Sequence, residues 1–366
     1  MPNQGRKSFP GWLPTLTGIA LALSQSSCQP SRQTTDLIVA SAGRITSLDP
    51  AQASTFHALQ LLSALGDPLY KTNHSGELEP CLAAALPRIS DNGLTVSIPL
   101  REDVMFHDGT PFNAEAMAFS IKRFINIGTL NYIIGDRISS IEVPEPYLLR
   151  LRLKQTSTSL EGLLTSINLT PVSPLAYKNN KGSFLNKSFI GTGAYKLSSF
   201  QLQQKKIKPF KDYWGKSASN TGVNYITLNN STSLFGSLLS GEVDVLISSS
   251  LNEDHRVALS RLTKNGLLNE GKGPALEIGY ITLSTNKGVL KRKSIRKALA
   301  ISLDRTLISQ RVSYGLNQPL RSLVPPDLKR SNKEIWPKYD ANEAKRLLRE
   351  AGYCDQEKLL IPLTFR

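Results

Sequence analysis

Between Asp91 and Phe124 the polarity of the chain changes period once, and that change predicts a strand followed by a helix. Leu94, Val96, Ile98 and Leu100 alternate with Thr95, Ser97 and Pro99, the two-residue repeat of a strand with one buried face. Asp91-Asn92-Gly93 precedes it, and Asn and Gly tolerate the positive φ that tight hairpin turns need. Pro99 has no N–H to give to a ladder, so its nitrogen is expected to face an edge or a bulge. After the turn His107-Asp108-Gly109-Thr110-Pro111 comes Asn113, a good helix N-cap. Glu115 then sits in a first turn, where the helix dipole favours negative charge. Met117, Ile121, Phe124 and Ile125 recur at the spacing of one helical face.

The same reading places other elements. Leu37 to Ala40 is a first strand, and a helix follows from about Phe56 to Leu65. Leu149, Leu151 and Leu153 alternate with Arg150, Arg152 and Lys154, a half-exposed strand with a basic outer face. Lys205-Lys206-Ile207-Lys208 reads as a solvated turn or strand end. Ser233 to Leu239 is a short helix ended by Gly241, a residue type suited to the left-handed position after a helix. Val243 to Ile247 is the next strand, and helix–Gly–strand is a building block of α/β folds. Asp340 and Glu343 form a capping-box-like helix start. Ala344, Leu347, Leu348 and Ala351 make the buried face of that helix, and Gly352 ends it. Leu359 to Phe365 reads as one more strand.

Composition then sets limits. At 366 residues with 40% apolar residues, the chain is long enough for more than one domain. Basic residues exceed acidic ones by 15. The positive residues are spread along the chain, with no basic helix carrying interleaved aromatics. A basic soluble surface accounts for the charge, and no nucleic-acid partner is implied. The densest cluster, Lys291, Arg292, Lys293, Arg296 and Lys297, opposes a helix dipole at a helix start and is expected to be exposed, as plain surface charge or, as the alternative, for an anionic partner. Cys28, Cys81 and Cys354 show no CxxC pairing, and His57, His74, His107 and His255 show no HExxH spacing. No metal site and no cofactor follow. GxSxG, P-loop and paired-carboxylate patterns are missing too, which argues against an enzyme. His107-Asp108 is the one catalytic-looking pair, and its Gly-Thr-Pro context makes the two residues turn formers.

The N-terminus resembles an export signal. Arg6 and Lys7 form a positive region, Trp12 to Leu23 is apolar but short for a stable membrane anchor, and no acid precedes Asp36. Cleavage has two routes: a lipobox ending at Cys28, whose thiol would be lipidated, or a small-x-small site such as Ala20-Leu21-Ala22. The lipobox is favoured, although Gln25 stands where Leu is usual. Loss of residues 1–27 removes two basic residues and no acids, leaving 42 against 29, a net +13.

The order of these segments resembles the family-five extracellular solute-binding proteins, receptors that deliver peptides, nickel and related solutes to ABC importers. The resemblance rests on the run from Asp91 to Phe124 with its FHDGTPF turn, on Ser47-Leu48-Asp49-Pro50-Ala51 after the first strand, and on Glu79-Pro80 with Leu82-Ala83. It continues in Gly191-Thr192-Gly193-Ala194-Tyr195-Lys196-Leu197, where Ala194 replaces a usual Pro. Asp212-Tyr213-Trp214-Gly215, LLSGEVDV ending at Val245, Tyr280 to Arg305, and YDANEAKRLLREAGY ending at Tyr353 complete it. Two further departures are the modest one at Gly66-Asp67-Pro68-Leu69-Tyr70, which replaces an EGL-type run, and Ser284, which replaces an Asn.

The resemblance implies an α/β, two-lobed periplasmic-binding-protein-like (type II) fold with an extra subdomain on the first lobe. The implied segments are 1–27 (signal peptide), 28–66 (first-lobe start), 67–155 (extra subdomain), 156–277 (first-lobe continuation) and 278–366 (start of an incomplete second lobe). A C-terminal truncation or split is the accompanying expectation. The implied function is capture of a small solute, most commonly a peptide, outside the inner membrane. Delivery would go to an ABC permease and its ATPase by a monomer held at the membrane through Cys28. The alternatives are a non-binding remnant of such a receptor and, last, a hydrolase. Candidate ligand contacts are Ser54 and Phe56 after the first strand, Thr192 beside the GxG turn, and Ser284 at the lobe crossover.

Overall fold

A computed structural model of the chain describes residues 36–73, 76–180, 183–271, 273, 278–323, 335–353 and 359–362. The expected signal segment, Cys28, His74 and Cys354 lie outside the described residues.

In chain order, β1 (Leu37–Ser41) is followed by α1 (Phe56–Leu65), then β2 (Tyr70–Thr72) and β3 (Leu78–Pro80). Next come β4 (Arg88–Ser90), β5 (Thr95–Pro99), α2 (Ala114–Ile127), the single turn α3 (Tyr132–Gly135), β6 (Ile138–Glu145) and β7 (Leu148–Leu153). Two more single turns, α4 (Leu160–Leu163) and α5 (Pro174–Tyr177), lead to β8 (Tyr195–Phe200), β9 (Gln204–Pro209) and β10 (Val223–Thr227). The remainder is α6 (Ser231–Leu239), β11 (Val245–Leu246), α7 (Glu253–Lys264), α8 (Lys293–Ser302), α9 (Arg305–Ser313) and α10 (Ala341–Glu350).

The stretch around Asp91 folds as its periodicity predicts. Asp91 and Asn92 hold φ of 52° and 53° and Gly93 a φ of 89°, so the turn residues do what their types allow. Val96, Ile98 and Leu100 are buried, whereas Leu94 lies outside the strand and is exposed. β5 is an interior strand, in the order β4-β5-β7-β6. Pro99 is tolerated because β4 stops opposite Ser97, and Leu100, not Pro99, donates toward Tyr147 on the β7 side. Asn113 caps α2 by accepting from Ala116 N at 2.9 Å. Met117, Ile121 and Phe124 of that helix enter a core shared with Val96, Ile98, Leu149 and Leu151. The charges on the outer face of β7 are spent locally: Arg152 bridges Asp91 and Glu142, each at 3.0 Å.

The second sheet has the order β11-β1-β10-β9-β8. β11, β1 and β10 run parallel, and β10-β9-β8 continue antiparallel. One face carries Tyr225 and Ile207 against Leu61, Leu62 and Leu65 of α1. The other carries Ala40 with Leu234 of α6 and Leu251 before α7. Here one expectation is corrected. Lys205 to Lys208 is not a turn but the middle of β9, paired on both sides. The alternation decides it: Ile207 and Lys205 face inward, with Lys205 fully buried, while Lys206 and Lys208 face out. The Lys205 ammonium donates to Leu202 O at 2.7 Å and lies 5.0 Å over the Phe200 ring. Burial pushes its pKa down.

Towards the C-terminus, Asp340 caps α10 through Glu343 N at 2.9 Å. Ala344 and Leu347 pack on Ala298 and Ile301 of α8. The exposed start of α8 agrees with the dipole argument, and two of its arginines hold main-chain carbonyls: Arg292 on Ala351 O and Arg296 on Leu290 O. The strand expected over Leu359–Phe365 is absent from the described residues 359–362, and the rest of it lies outside them.

Candidate functional site

Parallel strands point their carboxyl ends the same way, and in open α/β sheets ligands bind outside those ends where successive connections diverge. The divergence here is at β1. The chain leaves β1 through α1 on one face, and leaves β10 through α6 on the other before β11 joins on the far side of β1. The loops after β1, β10 and β11 therefore share one edge.

Several residues on that edge are fixed by short polar contacts. Ser41, at the end of β1, is buried and accepts from Tyr225 OH at 2.9 Å. Gly43 is required by proximity, since a Cβ there would lie 1.8 Å from the His57 ring. His57, in the first turn of α1, meets Ser250 Oγ at 3.3 Å and the edge of Phe56 with ring centroids 5.7 Å apart. Ser54, Thr55 and Phe56 precede it in the open, and Phe56 is 45% exposed. Thr55 caps α1 through Ala58 N. On the β10 side Asn230 caps α6, Ser231 Oγ lies 2.6 Å from His255 Nδ1, and His255 stacks on Phe235 at 4.5 Å. The result is a rim of hydroxyl and amide groups with two imidazoles and an open aromatic ring, and the loop after β1 adds the exposed Arg44. It can hydrogen-bond a polar solute and cover part of it. Among the described residues no three His, Cys, Asp or Glu side chains gather as a metal cage.

The four candidates from sequence do not converge. Ser54 and Phe56 sit together on this edge. Thr192 is fully buried, and its hydroxyl exchanges hydrogen bonds with Asp67, donating to Oδ2 and accepting from the backbone N, both at 3.2 Å. Ser284 is exposed, and its hydroxyl donates to Asn286 Oδ1 within its own loop. His57 and Ser250 escaped sequence reading, because a lone His and a serine run carry no motif.

The family-like motifs turn out to hold one another. The fully buried Asp49 of Ser47-Leu48-Asp49-Pro50-Ala51 accepts two bonds from Arg123 of α2, at 2.7 and 2.6 Å, and further ones from Leu185 N and Ala51 N. Arg123 also lies 4.9 Å from the Tyr177 ring centroid. His107 donates from its ring to Gly193 O at 3.1 Å and packs edge-on to Phe210. Burial pulls its pKa down to about 4, assisted by Lys196, despite the Gly193 bond. Asp108 takes Ser173 Oγ and Thr110. Burial opposes its charge, but these hydrogen bonds outweigh that and hold its carboxyl below the usual range. Asp67 receives Tyr213, Trp214 and Thr192. For this group burial prevails over the hydrogen bonds and raises the pKa. The FHDGTPF turn, the GTG turn and the DYW segment are thus clasps between sheets, and His107 with Asp108 is not arranged as a catalytic pair.

Comparison with known proteins agrees in one direction. Residues 77–365 match the profile described as bacterial extracellular solute-binding proteins, family 5 Middle. The glutathione-binding protein GsiB of Salmonella typhi is 26% identical over 349 residues, 94% of this chain and 66% of that protein. NikA of Brucella suis, solved with Fe(III)-EDTA, superposes with a TM-score of 0.75 at 24% identity, covering 88% of this chain and 65% of that one. A dipeptide-binding protein of Pseudoalteromonas sp. SM9913 with Met-Leu gives 0.73 at 25% identity over 87% and 67%. These likenesses establish a periplasmic-binding-protein fold for the described α/β sheets. The chain spans 66% of the length of the relative it matches in sequence.

Proposed function

The chain belongs to the bacterial extracellular solute-binding proteins of family 5, and from that membership we propose that it captures a small polar solute, a short peptide above all, for an ABC-type importer. The observation that carries this reading is the open edge at the carboxyl ends of β11, β1 and β10. Its hydrogen-bonding rim and exposed Phe56 suit a ligand with many amide groups and an apolar side chain. Relatives whose names or structures record glutathione, Met-Leu and the peptide STSA support a peptide, although other neighbours are recorded with the metal chelates Fe(III)-EDTA and Ni(L-His). Binding would be completed by closure of a second lobe, begun by residues 278–366, around the ligand.

The remaining parts follow from the same reading. The permease and ATPase of the importer are the partners, the receptor works as a monomer outside the inner membrane, and Cys28 anchors it through lipid. No chemistry is performed on the solute: His107 and Asp108 are occupied as structural ties. A thermal-shift screen of the purified chain against glutathione and a set of di- to tetrapeptides tests this. A saturable, concentration-dependent rise in Tm with at least one of them is expected. A folded sample that no member of the set shifts contradicts the proposal and favours a non-binding relative of such receptors. Cleavage of a peptide by wild type but not by the His107→Ala variant would instead favour a hydrolase.

A further inference from the structure

The outer face of the β8–β9 ribbon carries an unneutralised cluster of lysines. Lys196 on β8 stands directly opposite Lys208 on β9, and Lys206 lies two residues along on the same face. All three are exposed. Residues two apart on a strand are separated by about 7 Å, and neighbouring strands by about 5 Å, so three ammonium groups share one small area. Among the described residues no carboxylate forms an ion pair with any of them.

Like charges directly opposite on a ladder destabilise it, so the arrangement calls for a reason. Lysines commonly guard sheet edges against pairing with another chain. That reason covers Lys196, because β8 is an edge strand. It does not cover Lys206 and Lys208, because β9 is paired on both sides. The residue type narrows the partner. All three are lysines, compact point charges, where a shaped phosphate or carboxylate site would favour the planar fork of arginine. They stand on a ribbon rather than in a cleft, so the complement is an extended anionic surface rather than one small ion.

We propose that the outer face of β8–β9 docks on an anionic phospholipid bilayer, through Lys196, Lys206 and Lys208. The contact is peripheral and electrostatic: the charged headgroups neutralise the three ammonium groups, and the net positive charge of the chain draws the protein in from a distance. It is therefore weakened by salt. It is independent of solute capture, and its test reads neither ligand nor transport.

The experiment is vesicle flotation of the full chain with Cys28→Ser throughout, which removes any lipid anchor from the comparison. Vesicles are phosphatidylcholine alone or phosphatidylcholine with about one-third phosphatidylglycerol, in ~0.15 M and ~0.5 M salt. The ribbon variant is Lys196→Gln/Lys206→Gln/Lys208→Gln. A control of equal net charge, Lys264→Gln/Lys291→Gln/Lys293→Gln, neutralises exposed lysines elsewhere. A lysine near an anionic surface is worth about fivefold in partition, so three are worth about a hundredfold. The parent is expected to prefer the phosphatidylglycerol vesicles at the lower salt and to lose most of that preference at the higher. The ribbon variant should lose the preference by about that factor while the control keeps it. Equal losses in both variants would assign the attraction to net charge and overturn the proposal. An unchanged preference in the ribbon variant would also overturn it, leaving the lysines to an acidic protein partner. Circular dichroism and Tm of each variant confirm that folded proteins are being compared.

Discussion

Replacing His107 with Gln should flatten the acid limb of the stability profile, and the size of the change follows from the imidazole's surroundings. The ring is partly buried between the FHDGTPF turn and the GTG turn, donates to Gly193 O, and lies against Phe210 with centroids 5.0 Å apart. Burial and the nearby Lys196 charge lower its pKa from 6.5 to about 4. The unfolded chain therefore takes up a proton near pH 6.5 that the folded protein refuses until near pH 4, so folding stability falls as pH falls through that window. The full loss is about 3 kcal/mol, and about 2 kcal/mol of it is reached between pH 7 and pH 5. Gln keeps an N–H donor for Gly193 O and has no proton to take up. Urea unfolding of both proteins at several pH values between 5 and 8 measures the effect. Whatever the variant's absolute stability, its loss between pH 7 and pH 5 should be smaller than the wild type's by about 2 kcal/mol. Parallel profiles would show that the imidazole takes up its proton alike in the folded and unfolded chains, and an NMR titration of the His107 ring near 6.5 would place the fault in its burial.

Other outcomes follow from the same contacts. Arg123→Ala strands the buried Asp49 carboxylate and should cost about 3–5 kcal/mol, with Asp49→Asn/Arg123→Ala costing less than the two single changes together in a double-mutant cycle. Lys205→Met exchanges a buried ammonium for an apolar side chain of similar volume, so urea unfolding should show a gain of about 1 kcal/mol at pH 7. Because burial lowers the Lys205 pKa, the wild type alone should gain stability as pH rises towards 10.5, where the unfolded chain releases its own proton. Gly193→Ala would set a Cβ 2.3 Å from Leu65 C and 2.4 Å from Gly66 N, main-chain atoms with little freedom to yield; a loss of about 3 kcal/mol is expected from chemical denaturation.

Much of the framework was legible because it depends on local period and on residues with a single conformational use. Asn113, Asp340 and Gly241 stand at the helix ends that their types predict, and the alternation from Val96 to Leu100 names the buried face of β5. Where the reading failed, context overrode type. Four residues with three lysines suggested a solvated turn, yet alternation within a strand paired on both sides buries Lys205. Sequence makes Thr192 a candidate ligand contact from its place beside a GxG turn. The close approach of Gly191 and Gly193 to Leu65 instead draws it under Asp67. The motifs themselves were visible, but that Asp49 belongs with Arg123, 74 residues away, is a fact of tertiary packing. His57 and Ser250 are brought together from still farther apart in the sequence, which no spacing rule anticipates.

The edge formed by Ser54, Phe56, His57 and Ser250 is the place proposed here for a peptide-like solute. Isothermal titration of the purified chain with glutathione and with Met-Leu, repeated on Phe56→Ala, distinguishes the outcomes. Phe56 is 45% exposed, so the variant should fold as the wild type does. One-site binding of at least one of these ligands is expected, weakened at least tenfold, about 1.4 kcal/mol, by Phe56→Ala. Binding of equal strength to both proteins would place the solute elsewhere, and a folded wild type that binds neither ligand would speak against a peptide at this edge.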